Sequence, residues 1–255
     1  MDGSEFAGQN SLIFSLLCVG ALMLAAQFLS RKVTGGRIHP SAFSIVLGLA
    51  AAYVGGLLAH GSHGLADIAA FSSIGILGGS ALRDFTVVAV SYGADIKEFW
   101  KYKGEMVGAL LFGVALSYFS AVAIALLMGY RDGKELTVLA AGAVTFIVGP
   151  VTASALGVTS NVVAISIAIG VIKSIAIMLL TPVAVRRLGL ASPRFVMLYG
   201  GMLGSTSGVA AGLMAVDDSL VPYGTLATSF YMGVGCLLCP TVLYSLTCVL
   251  TGWIF

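Results

Sequence analysis

The chain has 255 residues, of which 58% are hydrophobic and only 9% charged, with a formal net charge of +2 and a mean hydropathy of +1.03. A soluble globular chain carries roughly a quarter of its residues as charged groups, so a water-facing surface cannot be built from this composition. The small net charge and the lack of a basic stripe exclude a nucleic-acid binder as well.

Along the chain, the polar start MDGSEF lacks the charged opening of a signal peptide. Gly3-Ser4-Glu5-Phe6 has the look of a cloning scar, so residues 1–10 read as a tag or a disordered N-terminus. The apolar run from Leu12 to Leu29 has no small-residue cleavage site before Arg31-Lys32 and reads as a retained span. Eight apolar segments can be drawn, at 11–30, 41–60, 66–92, 105–129, 136–157, 162–185, 195–216 and 225–254. Several reach the roughly 20 residues that cross a bilayer.

Six of these look like ordinary spans, and the third and seventh do not. The third carries Arg83-Asp84 behind Gly75, Gly78 and Gly79; the seventh reads GGMLGSTSGVAAG. One common shift lays Gly75 on Gly201, Gly78 on Gly204, Ser80 on Thr206 and Val90 on Val216. Interrupted segments at matching places in two halves point to a transporter binding site. The chain therefore divides into two membrane repeats, 11–130 and 131–255, each of four segments. The expected class is an all-α integral membrane protein, an inverted-repeat secondary transporter with interrupted or re-entrant helices. It has either six spans plus two re-entrant segments, or eight spans. With segments three and seven re-entrant, the basic loops at 31–37, 131–134 and 186–194 share one side, and Lys97, Lys101 and Lys103 lie on the other.

Trp100, Tyr102 and Trp253 suit the membrane interface. His60 and His63 lie in a polar turn without a third metal ligand, and Cys236 and Cys239 lie in an apolar run with no zinc partners. HExxH, nucleophile-elbow and phosphate-cradling patterns are absent, as is a carboxylate pair deep in a span, so the chain does not read as an enzyme.

Three places concentrate polar chemistry in apolar surroundings. GPVTASALGVTSN at 149–161 joins the helix breakers Gly149 and Pro150 to Thr152, Ser154, Ser160 and Asn161. Pro150 frees a carbonyl near Phe146, and Thr159-Ser160-Asn161 is a natural helix start. The alternative is a proline kink followed by a tight surface turn. Around Gly204 and Gly208 stand Ser205, Thr206 and Ser207. Glycines four apart serve close helix packing; the three hydroxyls suit a carboxylate or a sodium ion. Lys173, Arg83 and Asp84 are charges within apolar segments, where such groups are functional or paired with one another. Lys173 either offsets substrate charge, pairs with Asp84 or snorkels outward.

At these residues, FIVGPVTASALGVTSNVVAISIAIGVIKSI and YGGMLGSTSGVAAGLMAVDDSLVPYG resemble MadM, the large subunit of malonate:sodium symporters. The likeness runs from about Leu12 over nearly the whole chain. It implies secondary transport of malonate across the cytoplasmic (inner) membrane, sodium as coupling ion, and a smaller membrane partner, MadL. Thr152, Ser154, Ser160, Asn161, Lys173, Ser205, Thr206 and Ser207 are then the substrate-binding candidates, with sodium near Asn161, Thr206 and Ser207 and with Arg83 and Asp84 as coupling candidates. Two rivals stand beside this reading: a proton-coupled carrier of another small dicarboxylate, and a non-transporting scaffold whose glycines only pack.

Overall fold

Backbone groups in hydrocarbon have no water to bond, so an apolar chain pairs them within its own helices. The computed structural model describes residues 8–35, 40–59, 64–77, 85, 88–89, 92–189 and 192–254, and the regular elements among them are all helical. Gly78, Gly79, Arg83, Asp84, His60 and His63 lie outside the described residues, as do residues 1–7. Among the described residues, five helical stretches are long and apolar enough to cross a membrane: Ser11–Thr34, Pro40–Ala59, Lys103–Leu127, Ser160–Arg187 and Asp218–Gly252.

The chain forms two compact units, Met1–Ala89 and Val90–Phe255. In the first, α1 (Ser11–Thr34) ends at Gly35, whose φ of 60° places it in the left-handed region. Arg31 and Lys32 in its last turn complement the negative helix end. Its buried residues are small (Ser11, Ser15, Ala26 and Ser30), which lets α2 (Pro40–Ala59) lie close. A turn at Gly64–Asp67 packs against Gly55 of α2, and the short α3 (Ile74–Leu77) follows.

The second unit begins with α4 (Ile96–Lys101), capped by Asp95, and α5 (Lys103–Leu127). Asp132 accepts from the Lys134 amide at 2.7 Å and starts α6 (Gly133–Val144), after which the chain breaks and resumes as α7 (Val148–Leu156). Three residues later comes α8 (Ser160–Leu188). Ser192 and Pro193 open α9 (Pro193–Leu203), which breaks at Gly204 and resumes as α10 (Thr206–Met214). Finally α11 (Val221–Leu238) passes through a π turn at Cys239–Leu243 into α12 (Tyr244–Ile254). Pro240, which has no N–H to give the helical ladder, lies in that turn.

Close contacts fix the direction of each piece. A Cβ on Gly149 would lie 3.1 Å from Gly142 Cα, although seven helical residues span about 10 Å. So α7 folds back on α6. Both Gly142 and Gly149 meet Ser166 of α8, and Phe146 at the bend meets Gly170. On the other side, Gly208 of α10 meets Ser174 and Ile177, and Gly212 meets Thr181. Gly200 of α9 meets Gly224, Ala227 and Thr228 of α11, Gly204 meets Tyr231, and Gly224 in turn meets Leu213 and Val209 of α10. Thus α9–α10 is also a hairpin, and it runs in from the end of α8 opposite to that of α6–α7.

The segment at 136–157, expected as an ordinary span, returns to the end it started from. This changes the loop grouping. Arg194 forms a two-pronged ion pair with Glu105, its Nε at 2.9 Å and Nη2 at 2.7 Å from the carboxylate oxygens. The 97–105 and 186–194 regions therefore share one end, and Arg131 and Lys134 lie at the other, where Gly133 touches Cys248. The expectation that 131–134 and 186–194 share a side fails because α8 alone runs between them.

The hairpins depend on missing side chains. A methyl group on Gly170 would overlap the Phe146 backbone nitrogen, and one on Gly142 the Ser166 carbonyl, whereas Gly108 and Gly233 face open space. Gly170→Ala and Gly142→Ala should each cost about 1–3 kcal/mol through overpacking, read as a lower thermal midpoint of the purified protein. Gly108→Ala and Gly233→Ala should leave the midpoint unchanged or slightly higher.

Candidate functional site

The two helix breaks converge on one stretch of α8, Gly170 to Ser174. At the first break, Thr145 turns into extended backbone (φ −153°, ψ 154°) and its hydroxyl accepts from the amides of Ile147, at 3.2 Å, and Val148, at 3.1 Å. Gly149 and Pro150 lie in the first turn of α7, just past the break at Thr145–Ile147. A proline there removes no bond that the helix needs, because first-turn amides have no helical acceptor.

Ending α6 at Val144 leaves carbonyls without helical donors. Lys173 supplies them: its Nζ donates to the Ala143 carbonyl at 2.8 Å, the Val144 carbonyl at 3.1 Å and Ser117 Oγ at 3.0 Å. All three ammonium protons thus have protein acceptors. The positive charge meets the negative end of a helix, a favourable pairing that gains strength away from water. Lys173 Nζ also lies 5.4 Å from the centroid of the Tyr231 ring.

At the second break, Gly204 has φ 67° and a Cβ there would overlap the Tyr231 ring, so only glycine fits. Ser205 is buried and caps α10: its Oγ accepts from the Gly208 amide at 3.2 Å and donates to Ser174 Oγ at 2.8 Å. Ser174 in turn donates to the Gly170 carbonyl at 2.9 Å. The amides of Thr206 and Ser207 precede the capped one and have no helical carbonyl to meet. Thr206 is half-buried and Ser207 is exposed.

Tyr231 joins the two breaks. It is fully buried, its ring lies under Gly204, and its hydroxyl bonds the Gly113 carbonyl at 3.1 Å and Ser117 Oγ at 3.0 Å. Ser117 is therefore shared between Tyr231 and Lys173. Ser117, Tyr231, Thr145 and Ser174 were not picked out from the sequence. A tyrosine in an apolar helix that needs a hydroxyl partner was the one available signal for Tyr231.

The residues expected at the site divide into two groups. Lys173, Ser205, Thr206 and Ser207 gather with Gly204 and Gly208 at the convergence. Thr152, Ser154, Ser160 and Asn161 lie toward the base of the α6–α7 hairpin. Ser154, Ser160 and Pro150 line an open groove of about 430 Å³ there. Thr152 is fully buried, and its hydroxyl has no partner among the described residues. The rise along α8 from Asn161 to Ser174 is about 20 Å, so one sodium ion cannot touch both Asn161 and the start of α10.

Helix ends of both signs therefore meet in the interior of a membrane protein, together with a lysine, at a point reached by one hairpin from each end. The arrangement is suited to holding a small charged solute. No curated protein and no solved structure matches the chain. The family model described as the malonate/sodium symporter MadM subunit matches residues 4–251, nearly the whole chain. The chain belongs to the MadM family of malonate/sodium symporter subunits.

Proposed function

We propose that this chain carries malonate together with sodium across the cytoplasmic membrane, as the large subunit beside a small MadL-like partner. The observation that supports it most is the meeting of two interrupted helices, from opposite ends, on Gly170–Ser174 of α8. The membrane reading of that geometry is two re-entrant hairpins whose tips face each other near the bilayer midplane. One shift lays Gly142 on Gly201, Val144 on Leu203 and Gly149 on Gly208. The units α5–α6–α7 and α8–α9–α10 then form an inverted repeat of one span followed by one hairpin.

Charge bookkeeping favours cation coupling. The N-termini of α7 and α10 each present about +0.5 charge, and the C-termini of α6 and α9 about −0.5 each. With Lys173, the fixed total is about +1. Malonate brings two negative charges, so at least one monovalent cation must accompany it to avoid an unpaired buried carboxylate. In this reading the free amides of Thr206 and Ser207 and the hydroxyls around them meet the carboxylates. Sodium completes the site, and neither ligand binds well alone. Lys173 contributes its charge from behind, through the end of α6.

Orientation follows from the basic residues of the second unit. Lys97, Lys101, Lys103, Arg186, Arg187 and Arg194 share one end, against Arg131 and Lys134 at the other. By the positive-inside rule the Arg194 end is cytoplasmic. The groove lined by Pro150, Ser154 and Ser160 then opens outward, as the approach for the dianion.

The direct test is uptake of radiolabelled malonate into proteoliposomes holding this chain, with and without the partner, under a sodium gradient and then a proton gradient. Sodium-driven uptake supports the proposal. No uptake under either gradient, from a demonstrably folded pair, rejects it. Ser205→Ala loses a helix cap worth about 1 kcal/mol, so the half-saturating malonate concentration should rise about fivefold; Ser205→Thr should recover most of it. Gly204→Ala, which drives a methyl group into Tyr231 at an unfavourable φ, should lower uptake at least about tenfold, a cost of 1.4 kcal/mol or more.

A further inference from the structure

Around the Lys173 ammonium stand the carbonyl oxygens of Ala143 and Val144 and the hydroxyl of Ser117, at 2.8, 3.1 and 3.0 Å, with the face of Tyr231 on another side. No carboxylate among the described residues bonds it. Elsewhere in the second unit Arg194 pairs with Glu105 and Lys101 with Glu98, while Arg131 and Arg186 donate to the Leu126 and Ala215 carbonyls at exposed helix ends. Oxygen dipoles and an aromatic face, without a counter-charge, are what proteins offer to a small monovalent cation.

These oxygens belong to the backbone break and not to the lysine. The Ala143 and Val144 carbonyls are left over because the chain turns at Thr145, whose amide bonds the Ala141 carbonyl. Ser117 Oγ is held in place by the Tyr231 hydroxyl at 3.0 Å. The acceptor set would persist if the ammonium were withdrawn, and buried acceptors without a donor are costly.

We infer that Ser117 Oγ and the carbonyls of Ala143 and Val144 form a monovalent-cation site, which Lys173 fills as a tethered ammonium. Shortening the side chain while keeping the backbone break empties the site and opens it to a free ion of the same charge. The site is separate from the proposed malonate contacts at Ser205–Ser207, and its test does not depend on them.

The test uses the purified full chain. Unfolding temperature is measured for wild type, Lys173→Ala, Lys173→Met and Lys173→Ala/Ser117→Ala in methylammonium, sodium, potassium or choline chloride at matched ionic strength. Choline, too large for the site, is the reference. The inference expects Lys173→Ala to fall several degrees below wild type in choline and to regain much of that loss in methylammonium or a small alkali cation. Wild type should not respond, and the double variant should respond far less, because one ligand is missing. Lys173→Met, whose side chain fills the space without charge, should be low in all four salts. No cation-specific rise for Lys173→Ala overturns the inference, and so does its failure to fold in every salt. A Lys173→Met protein as stable as wild type also overturns it, since the carbonyls would then need no cation.

Discussion

The bonds from Lys173 to the last carbonyls of α6 are what permit the rest of the second unit. A helix that stops in an apolar interior leaves carbonyls that lipid cannot satisfy, each costing several kcal/mol. Lys173 brings three donors and a full charge to the place where α6 ends, from a helix that runs past the break without interruption. Once that end is stable, the chain can turn at Thr145 and send α7 back alongside α6. The second break uses a different solution to the same problem. Gly204 takes a left-handed conformation, returns its own amide to the Gly200 carbonyl at 2.9 Å, and hands the chain to the Ser205 cap.

Both solutions need backbones to come very close, which explains the distribution of glycine. Gly142, Gly149 and Gly170 seat the first hairpin on α8; Gly204, Gly208 and Gly212 seat the second on α8 and Tyr231. The sequence presents Gly200, Gly204, Gly208 and Gly212 as a ladder that could serve packing or binding. The structure gives the glycines the first role and leaves polar groups between them: the capping hydroxyl of Ser205, and the first-turn amides of Thr206 and Ser207. Tyr231 belongs to both breaks, with its ring beneath Gly204 and its hydroxyl on the Ser117 that also receives Lys173.

Much of this was legible. A lone lysine in IAIGVIKSIAIML and hydroxyls beside Gly204 stand out against apolar neighbours, and Thr159-Ser160-Asn161 marks a helix start that the structure uses. The first break was not legible, because AVTFIV contains no glycine or proline. Pro150 drew attention to a point three residues downstream of Ile147, because a proline tolerated in a first turn marks where a helix begins and says little about how the previous one ended. The direction of a hairpin is not a local property either. Segment 136–157 is apolar and of spanning length, and the approach of Gly149 to Gly142, with both against Ser166, reveals that it turns back. Ser117 and Tyr231 lie far from Lys173 in sequence, and no periodicity brings them together.

The central claim is that α6–α7 returns to the side it started from, so the most direct measurement is the sidedness of its two ends. In a background without Cys18, Cys236, Cys239 and Cys248, single cysteines at Lys134 and Val158 would be labelled with a membrane-impermeant maleimide in vesicles of known orientation. Single cysteines at Ser192 and Ser219 report on the second hairpin. The arrangement predicts that 134 and 158 label from one face of the membrane, and 192 and 219 from the other. Labelling of 134 and 158 from opposite faces would mean that the segment crosses, and would contradict the convergence of two hairpins on α8.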